Sequence, residues 1–270
     1  MKVSVVIRTK DKEIYFDYLL RNLASQIVQP SEIIVVDNYS SQKKLRLLDM
    51  YLRKIIKEYS SLQRIKLIPI SNDEFSHPYS TNLGVNAAEN ELVYIINAHS
   101  VPTSIYCLEH GIKHFEDLEV AGVSGFFIPH KEGFVFGKVD SLMYYLSQKM
   151  ISRQDRFCTI NCIIRKSMWK KYPFDENLPK IIPETKRYGL EDYDWSEEMM
   201  SRGFKIIIEP LFSVFHSHNK GLIELTRNLK NYFIYRRIQQ KISTFKRPRW
   251  SFSRVFHAKD KIPKTIDILP

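Results

Sequence analysis

Two runs of β-branched residues, Val3-Ser4-Val5-Val6-Ile7-Arg8 and Glu32-Ile33-Ile34-Val35-Val36-Asp37, restrict this chain more than any other feature. Apolar residues follow one another without polar alternation, so each run reads as a strand covered on both faces. Between the runs, Phe16, Leu19, Leu20 and Leu23 fall at helical spacing. Strand, helix and strand in this order form a β-α-β unit with parallel strands and a right-handed crossover. The pattern continues with a helix carrying Leu45, Leu48, Leu52, Ile55 and Ile56 on one face. A strand over 65–70, a helix over 80–88 and a strand over 92–96 come next. The first hundred residues thus read as a Rossmann-like nucleotide-binding half. No Gly-rich phosphate loop accompanies them, which argues against a dinucleotide cofactor.

Past Pro102 the signal changes. Residues 105–115 read as helical, 120–128 as extended, 140–150 as helical and 159–165 as extended. Residues 172–188 hold three prolines and several charges and read as a surface loop shaping a pocket. A helix over 190–201 ends at Arg202-Gly203, and a strand over 205–209 follows. With 270 residues, 44% of them apolar, the chain can bury a real core in one large domain or two small ones.

No apolar run approaches the roughly 18 residues that span a bilayer, and the first residues enter a strand rather than a signal peptide. The expectation is a cytoplasmic protein. Cys107, Cys158 and Cys162 are odd in number, and the C-x-x-x-C spacing of the last two suits neither zinc nor a redox pair, so all three read as reduced thiols.

The net charge of +11 is unevenly placed. Residues 220–261 hold 12 Lys or Arg against two acids, Glu224 and Asp260, whereas the first 219 residues are nearly neutral. Two parts follow from this: a domain over 1–219 and a basic, partly helical extension over 220–270. Leu222, Leu225, Leu229 and Phe233 form an apolar stripe, with Arg227, Lys230, Arg237 and Lys241 on an adjoining face. Phe245-Lys246-Arg247-Pro248-Arg249-Trp250 then interleaves cations with rings, a mixture suited to an anionic membrane surface through residues 220–261. A solvated or oligomer-forming tail is the plainer alternative. Nucleic acid is the rival partner, and the neutral first 219 residues argue against it.

Ligands of open α/β sheets bind at the carboxyl ends of the strands, here Arg8, Thr9, Asp11, Asp37 and Asn97-Ala98-His99. Asp37 can accept hydrogen bonds from a base N–H or a ribose hydroxyl, or it can cap the following helix. Further along, the acidic start of a helix, Gly189-Leu190-Glu191-Asp192-Tyr193-Asp194-Trp195, precedes Phe215-His216-Ser217-His218. Such a pairing can bring a base and metal ligands to one cleft. Asp192 and Asp194 lie about 200° apart on a helical wheel and cannot share one target. On a regular strand, His216 and His218 face the same way. Trp195, Tyr193 and Trp169 offer flat faces to a sugar or fill the core, and Asn161 and Arg165 are weaker acceptor-side candidates.

Together these segments resemble the family 2 glycosyltransferases of the GT-A fold, mostly inverting enzymes that take a sugar from a nucleotide diphosphate. The resemblance runs from Val3 to His218. It rests on the strand segments above, on Asn82-Leu83-Gly84-Val85-Asn86, on Pro173-Phe174-Asp175-Glu176 and on Glu191-Asp192. Phe75-Ser76-His77 and His216-Ser217-His218-Asn219 look most like bacterial rhamnosyltransferase-type members. The resemblance implies an α/β, mostly parallel sheet flanked by helices, and a hexosyl- or deoxyhexosyltransferase acting in bacterial surface glycan synthesis. It implies a saccharide or polyprenyl-linked saccharide acceptor, placing the enzyme peripherally on the inner face of the cytoplasmic membrane. It puts Thr9, Asp11, Asp37 and Asn97 on the donor nucleotide and makes Asp192 the general base beside Glu191. Asp194 and Glu197 are left to cap or solvate the helix. His99 stands where the family's metal-binding Asp-X-Asp ends, and His216 and His218 complete the metal set. Imidazole in place of carboxylate favours Mn²⁺ over Mg²⁺. The lost Asp-X-Asp also admits a degenerate relative that binds nucleotide or glycan without turnover.

Overall fold

The computed structural model describes residues 1–62, 64–128, 157–216, 222–245 and 263–269. The two β-branched runs form β1 (Val3–Thr9) and β2 (Glu32–Asn38), parallel neighbours with Thr9 opposite Asp37. The strand β3 (Ile65–Ile70) pairs with β2, and β4 (Leu92–Asn97) pairs with the other side of β1. All of these pairings are parallel. The chain then inserts β8 (Asn161–Arg165) antiparallel between β4 and β6 (Val120–Ser124), with β9 (Lys205–Ile208) closing the row. A C-terminal strand, β11 (Ile266–Ile268), runs antiparallel along β3 and covers that edge. The strand order is β11-β3-β2-β1-β4-β8-β6-β9, so β1 is central.

Alternate residues of β1 feed two cores. Val3, Val5 and Ile7 pack with the apolar faces of α1 (Phe16–Ala24) and α2 (Gln42–Glu58). Val6 faces the other way, toward Leu83 and Val85 of α3 (His77–Ala87) and toward Trp195 and Met199 of α8 (Glu191–Ser201). Helix α3 approaches closely because it carries Gly84: a Cβ there would lie 2.3 Å from Val6 Cγ1 and 3.2 Å from Val36 Cγ2. The approach holds the N-terminus of α3 over the carboxyl end of β1.

Several sequence expectations change. Residues 120–128 do not form one strand: β6 ends at Ser124, and β7 (Phe127–Ile128) joins a second sheet of order β5-β10-β7. Its other members are β5 (Ser100–Pro102) and β10 (Val214–His216). The break falls at Gly125, where a Cβ would lie 1.3 Å from the Phe212 carbonyl oxygen, so the close passage of another segment ends the strand. The 105–115 helix is shorter, α4 (Cys107–Ile112) followed by a 3₁₀ turn. Helix α5 (Lys166–Lys171) precedes the proline-containing loop, which holds two single-turn helices, α6 (Leu178–Ile181) and α7 (Thr185–Tyr188).

Helix α9 (Leu222–Phe245) lies against α8. Of the apolar stripe expected through Phe233, Phe233 itself is 73% exposed, while Ile238 and Ile242 are buried against Tyr193, Leu178 and Ile182. The helix expected over 140–150, His218 and the cation-aromatic segment beyond Phe245 lie outside the described residues. Among the described residues no helix is long and apolar enough to cross a membrane.

Replacing Gly84 by alanine should destabilise the protein by about 1–3 kcal/mol, because the added methyl overpacks Val6 and Val36. Urea unfolding monitored by circular dichroism checks this, with a lowered midpoint expected.

Candidate active site

The parallel register brings Arg8, Thr9, Asp37 and Asn97 to one edge of the sheet. Arg8 organises it. Its Nη1 donates to Thr81 Oγ1 of α3 at 3.0 Å, and its Nη2 donates to Asn97 Oδ1 at 2.9 Å and to Thr159 Oγ1 at 3.2 Å. Nη1 also lies 3.9 Å from Glu191 Oε1 at the start of α8. One guanidinium therefore joins β1, α3, β4, the approach to β8 and the acidic helix.

That helix begins with an unusual turn. Gly189 and Leu190 both have positive φ, 73° and 76°. A non-glycine residue in the left-handed region costs of order 1–3 kcal/mol and persists only where its surroundings impose it. The turn aims Glu191 and Asp192 back toward the strand ends. Asp192 Oδ2 accepts from Thr159 N at 3.0 Å and from Thr159 Oγ1 at 3.3 Å, and Oδ1 accepts from Tyr193 N at 2.8 Å. Thr159 thus sits between the Asp192 carboxylate and Arg8. Burial raises the pKa of Glu191, the Asp192 charge adds to the rise, and Arg8 opposes it. Asp194, expected to cap or solvate the helix, is 1% exposed in its first turn and so does not solvate it.

Asp37 is completely buried, and neither of its oxygens meets hydrogen-bond geometry with a described residue; the Asn38 Oδ1 beside it is likewise unpartnered. It does not cap α2, since Ser41 Oγ does so by accepting from Lys44 N at 3.3 Å. Desolvation lifts the Asp37 pKa to about 7, with the nearby Asp11 amide pulling the other way. A buried carboxylate with only the Asp11 amide near it has acceptor capacity to spare, and a base N–H or a hydroxyl fits. Asp11 stands at the rim with φ 57°, its carboxylate accepting from Ser40 N at 2.8 Å, Ser40 Oγ at 2.9 Å and Lys44 Nζ at 2.8 Å. Thr9 Oγ1 donates to the Asp11 carbonyl at 2.6 Å.

The two histidines meet. His99 and His216 have ring centroids 4.7 Å apart at 36°, brought together by the β5–β10 pairing in which His216 lies opposite Ser100. His99 Nδ1 lies 2.5 Å from Glu13 Oε2, and His216 Nδ1 lies 2.9 Å from Ser100 Oγ. Each ring is thus oriented through Nδ1, an arrangement that directs Nε2 toward a metal in imidazole sites. Among the described residues no three His, Cys, Asp or Glu side chains form a metal cage, so a metal held here would need oxygens from its ligand as well. Two imidazoles suit a borderline transition metal and not Mg²⁺.

His77, at the N-terminus of α3, also faces this region. It is exposed, and its pKa is lowered by desolvation, with the charge of Arg8 adding to the fall and Asp192 opposing it. Sequence reading passed over Glu13, Thr81 and Thr159, which carry no motif of their own. Asn161 and Arg165, weaker acceptor-side candidates, are structural: Asn161 bonds Tyr94 and the Phe212 carbonyl, and Arg165 ties three carbonyls. Trp195 and Trp169 are core residues, the first stacked on Phe157 and the second donating to Asn82. All three cysteines are free thiols.

A mixed α/β sheet whose central strand ends in this polar cleft is the GT-A architecture of nucleotide-sugar enzymes. The sequence profile described as Glycosyl transferase family 2 matches residues 4–177, and the chain belongs to that family. Similar solved structures include the mannosyltransferase PcManGT of Pyrobaculum calidifontis, in complex with GDP-Man and Mn²⁺. Its TM-score is 0.56 at 15% identity, covering 80% of this chain and 56% of that one. TarS 1–349 of S. aureus with UDP-GlcNAc gives 0.53 at 17%, covering 82% and 60%. Glucosyl-3-phosphoglycerate synthase of Mycobacterium tuberculosis, with Mn²⁺, UDP and glucosyl-3-phosphoglycerate, gives 0.52 at 13%, covering 83% and 75%. The chain therefore spans less than two thirds of the first two structures. No curated protein matches the sequence.

The raised pKa of Asp37 sets a pH dependence. A carboxyl group with a folded-state pKa above its unfolded value stabilises the fold least once it ionises, so stability should fall as pH rises from about 4 through about 7. Asp37→Asn should flatten that slope and stabilise the ligand-free protein at pH 8 by up to a few kcal/mol. Melting temperatures of both proteins between pH 5 and pH 8 check it.

Proposed function

We propose that the protein is an inverting glycosyltransferase that moves a hexosyl or deoxyhexosyl unit from a nucleotide diphosphate to a saccharide or lipid-linked saccharide. The observation that carries the reading is the Asp192-Thr159-Arg8-Asn97 chain of contacts, which joins a carboxylate at a helix start to the strand ends where a nucleotide binds. Asp37 and Asn38 take the base or ribose, Thr9 and Asp11 shape the rim, and Asn97 stays beside Arg8 under the diphosphate. Asp192 accepts the proton of the acceptor hydroxyl as its oxygen bonds to C1 of the donor and the C1–O bond to the diphosphate breaks. Attack from the face opposite the leaving group inverts C1. The buried Arg8 offers positive charge near the departing oxygens. His99 and His216 would hold a divalent metal, Mn²⁺ rather than Mg²⁺, whose chemistry is to neutralise the diphosphate. The solved relatives with GDP-Man, UDP-GlcNAc and UDP support this donor class.

Asp192→Asn should lower kcat for transfer by about 10² to 10⁴ while donor affinity is kept. Donor hydrolysis without acceptor, followed by release of nucleoside diphosphate, provides the assay, and unchanged turnover would remove Asp192 from the role of base. Wild-type protein that binds donor without any turnover would make this a degenerate binding relative. For the metal, titration of Mn²⁺ in the presence of nucleoside diphosphate, read by electron paramagnetic resonance, should show binding weakened about 10- to 100-fold in His216→Ala.

A further inference from the structure

Helix α9 lies beyond the segment matched by the family profile, and it lends the base-bearing helix a polar neighbour. Its Ile234, Ile238 and Ile242 edge packs on α6 and Tyr193. At about 100° per residue, Tyr235 comes next around the axis, then Gln239, Ser243, Arg236 and Gln240. Tyr235 meets Tyr188 edge to face, with centroids 5.4 Å apart at 77°. Tyr188 ends α7, immediately before the Gly189-Leu190 turn that delivers Glu191 and Asp192. Burial raises the pKa of the Tyr235 phenol, with the charges of Asp192 and Glu191 among the smaller causes. It is still 36% exposed.

Beyond Tyr235 the helix borders a hollow of about 280 Å³, lined by Tyr193, Arg236, Gln239, Gln240, Ser243 and Thr244. The Tyr193 and Ser243 hydroxyls lie 3.1 Å apart on its wall. Tyr193 also links hollow and base, since its backbone N–H donates to Asp192 Oδ1. Among the described residues the lining holds two carboxamides, three hydroxyls and one guanidinium, with no carboxylate and no aliphatic side chain. Carboxamides and hydroxyls donate and accept together, which matches the vicinal hydroxyls of a sugar. One guanidinium among the described lining residues is too little charge for a polynucleotide, and none of those residues is aliphatic, as a lipid chain would require. The volume falls just below the range of drug-sized sites, which suits one small polar unit.

We propose that this hollow is a saccharide subsite for the acceptor, holding the sugar next to the one that attacks, with the Tyr188–Tyr235 pair as the apolar surface between hollow and base. The inference deepens the transferase reading and rests on it. Aromatic faces stack on the C–H faces of sugar rings while the surrounding amides take their hydroxyls.

The test uses fluorescently labelled full-length protein on an array of immobilised di- to tetrasaccharides. Wild type should be retained on a subset of glycans, and Gln239→Ala/Gln240→Ala should lose at least about tenfold of that signal, equal to about 1.4 kcal/mol. Both positions sit on the outer part of α9, and unchanged cooperative melting shows that the variant folds. Arg237→Ala, exposed on the same helix and outside the hollow, should keep the wild-type pattern. Equal retention of wild type and the double variant overturns the subsite, as does a wild type that holds no glycan. Glycan binding that depends on Gln239 and Gln240, in a protein that never turns over a nucleotide sugar, upholds the subsite and sinks the transferase reading instead.

Discussion

Burial of one guanidinium sets the terms for the rest of the molecule. Arg8 leaves the end of the central strand with its side chain 11% exposed, and its cost is offset by Thr81, Asn97, Thr159 and Glu191, which come from four different parts of the chain, while Nε finds no partner among the described residues. Removing one partner of a buried charge pair costs about 3–5 kcal/mol, because the other is left uncompensated. The partners therefore have to arrive together, and each brings its element into place. Helix α3 can do so because Gly84 lets it sit against Val6 and Val36. Helix α8 can do so because Gly189 and Leu190 take up left-handed backbone.

The same burial explains the electrostatics of the cleft. Desolvation is the largest cause of the raised Asp37 and Glu191. Both shifts run against stability of the ligand-free fold. An Asp37 carboxylate with only the Asp11 amide near it and a leucine at φ 76° add to that burden. Such conflicts between local preference and global fold gather where a protein must recognise something it does not itself contain.

The chemistry-bearing residues were legible in sequence to different degrees, and the reason lies in contact range. Asp37 and Asn97 could be read because each ends a strand whose apolar run is visible, and strand ends face the ligand side of a parallel sheet. Glu191 and Asp192 could be read as a helix start behind a glycine. The meeting of His99 with His216 was an expectation only through family resemblance, since it depends on pairing between β5 and β10, three-residue strands too short to leave a pattern. Thr81 and Thr159 left no trace because a threonine on a buried face looks the same whether or not it serves an arginine. The burial of Ile238 and Ile242 on α9 was not legible, because it depends on packing against α6 and Tyr193 rather than on spacing along the helix.

Local rules were enough for the β-α-β opening, for the unpaired state of the cysteines and for the likeness of the strand ends to nucleotide sites. Periodicity and residue type act over a few residues, and these features need nothing more. Tertiary structure alone decided that β6 and β7 belong to different sheets and that β11 returns to cover β3. It alone decided, too, that the Ile238 and Ile242 edge of α9 packs against Tyr193 on the acidic helix. Those outcomes depend on which distant segment first satisfies a buried polar group or an open strand edge, a competition that no short stretch of sequence contains.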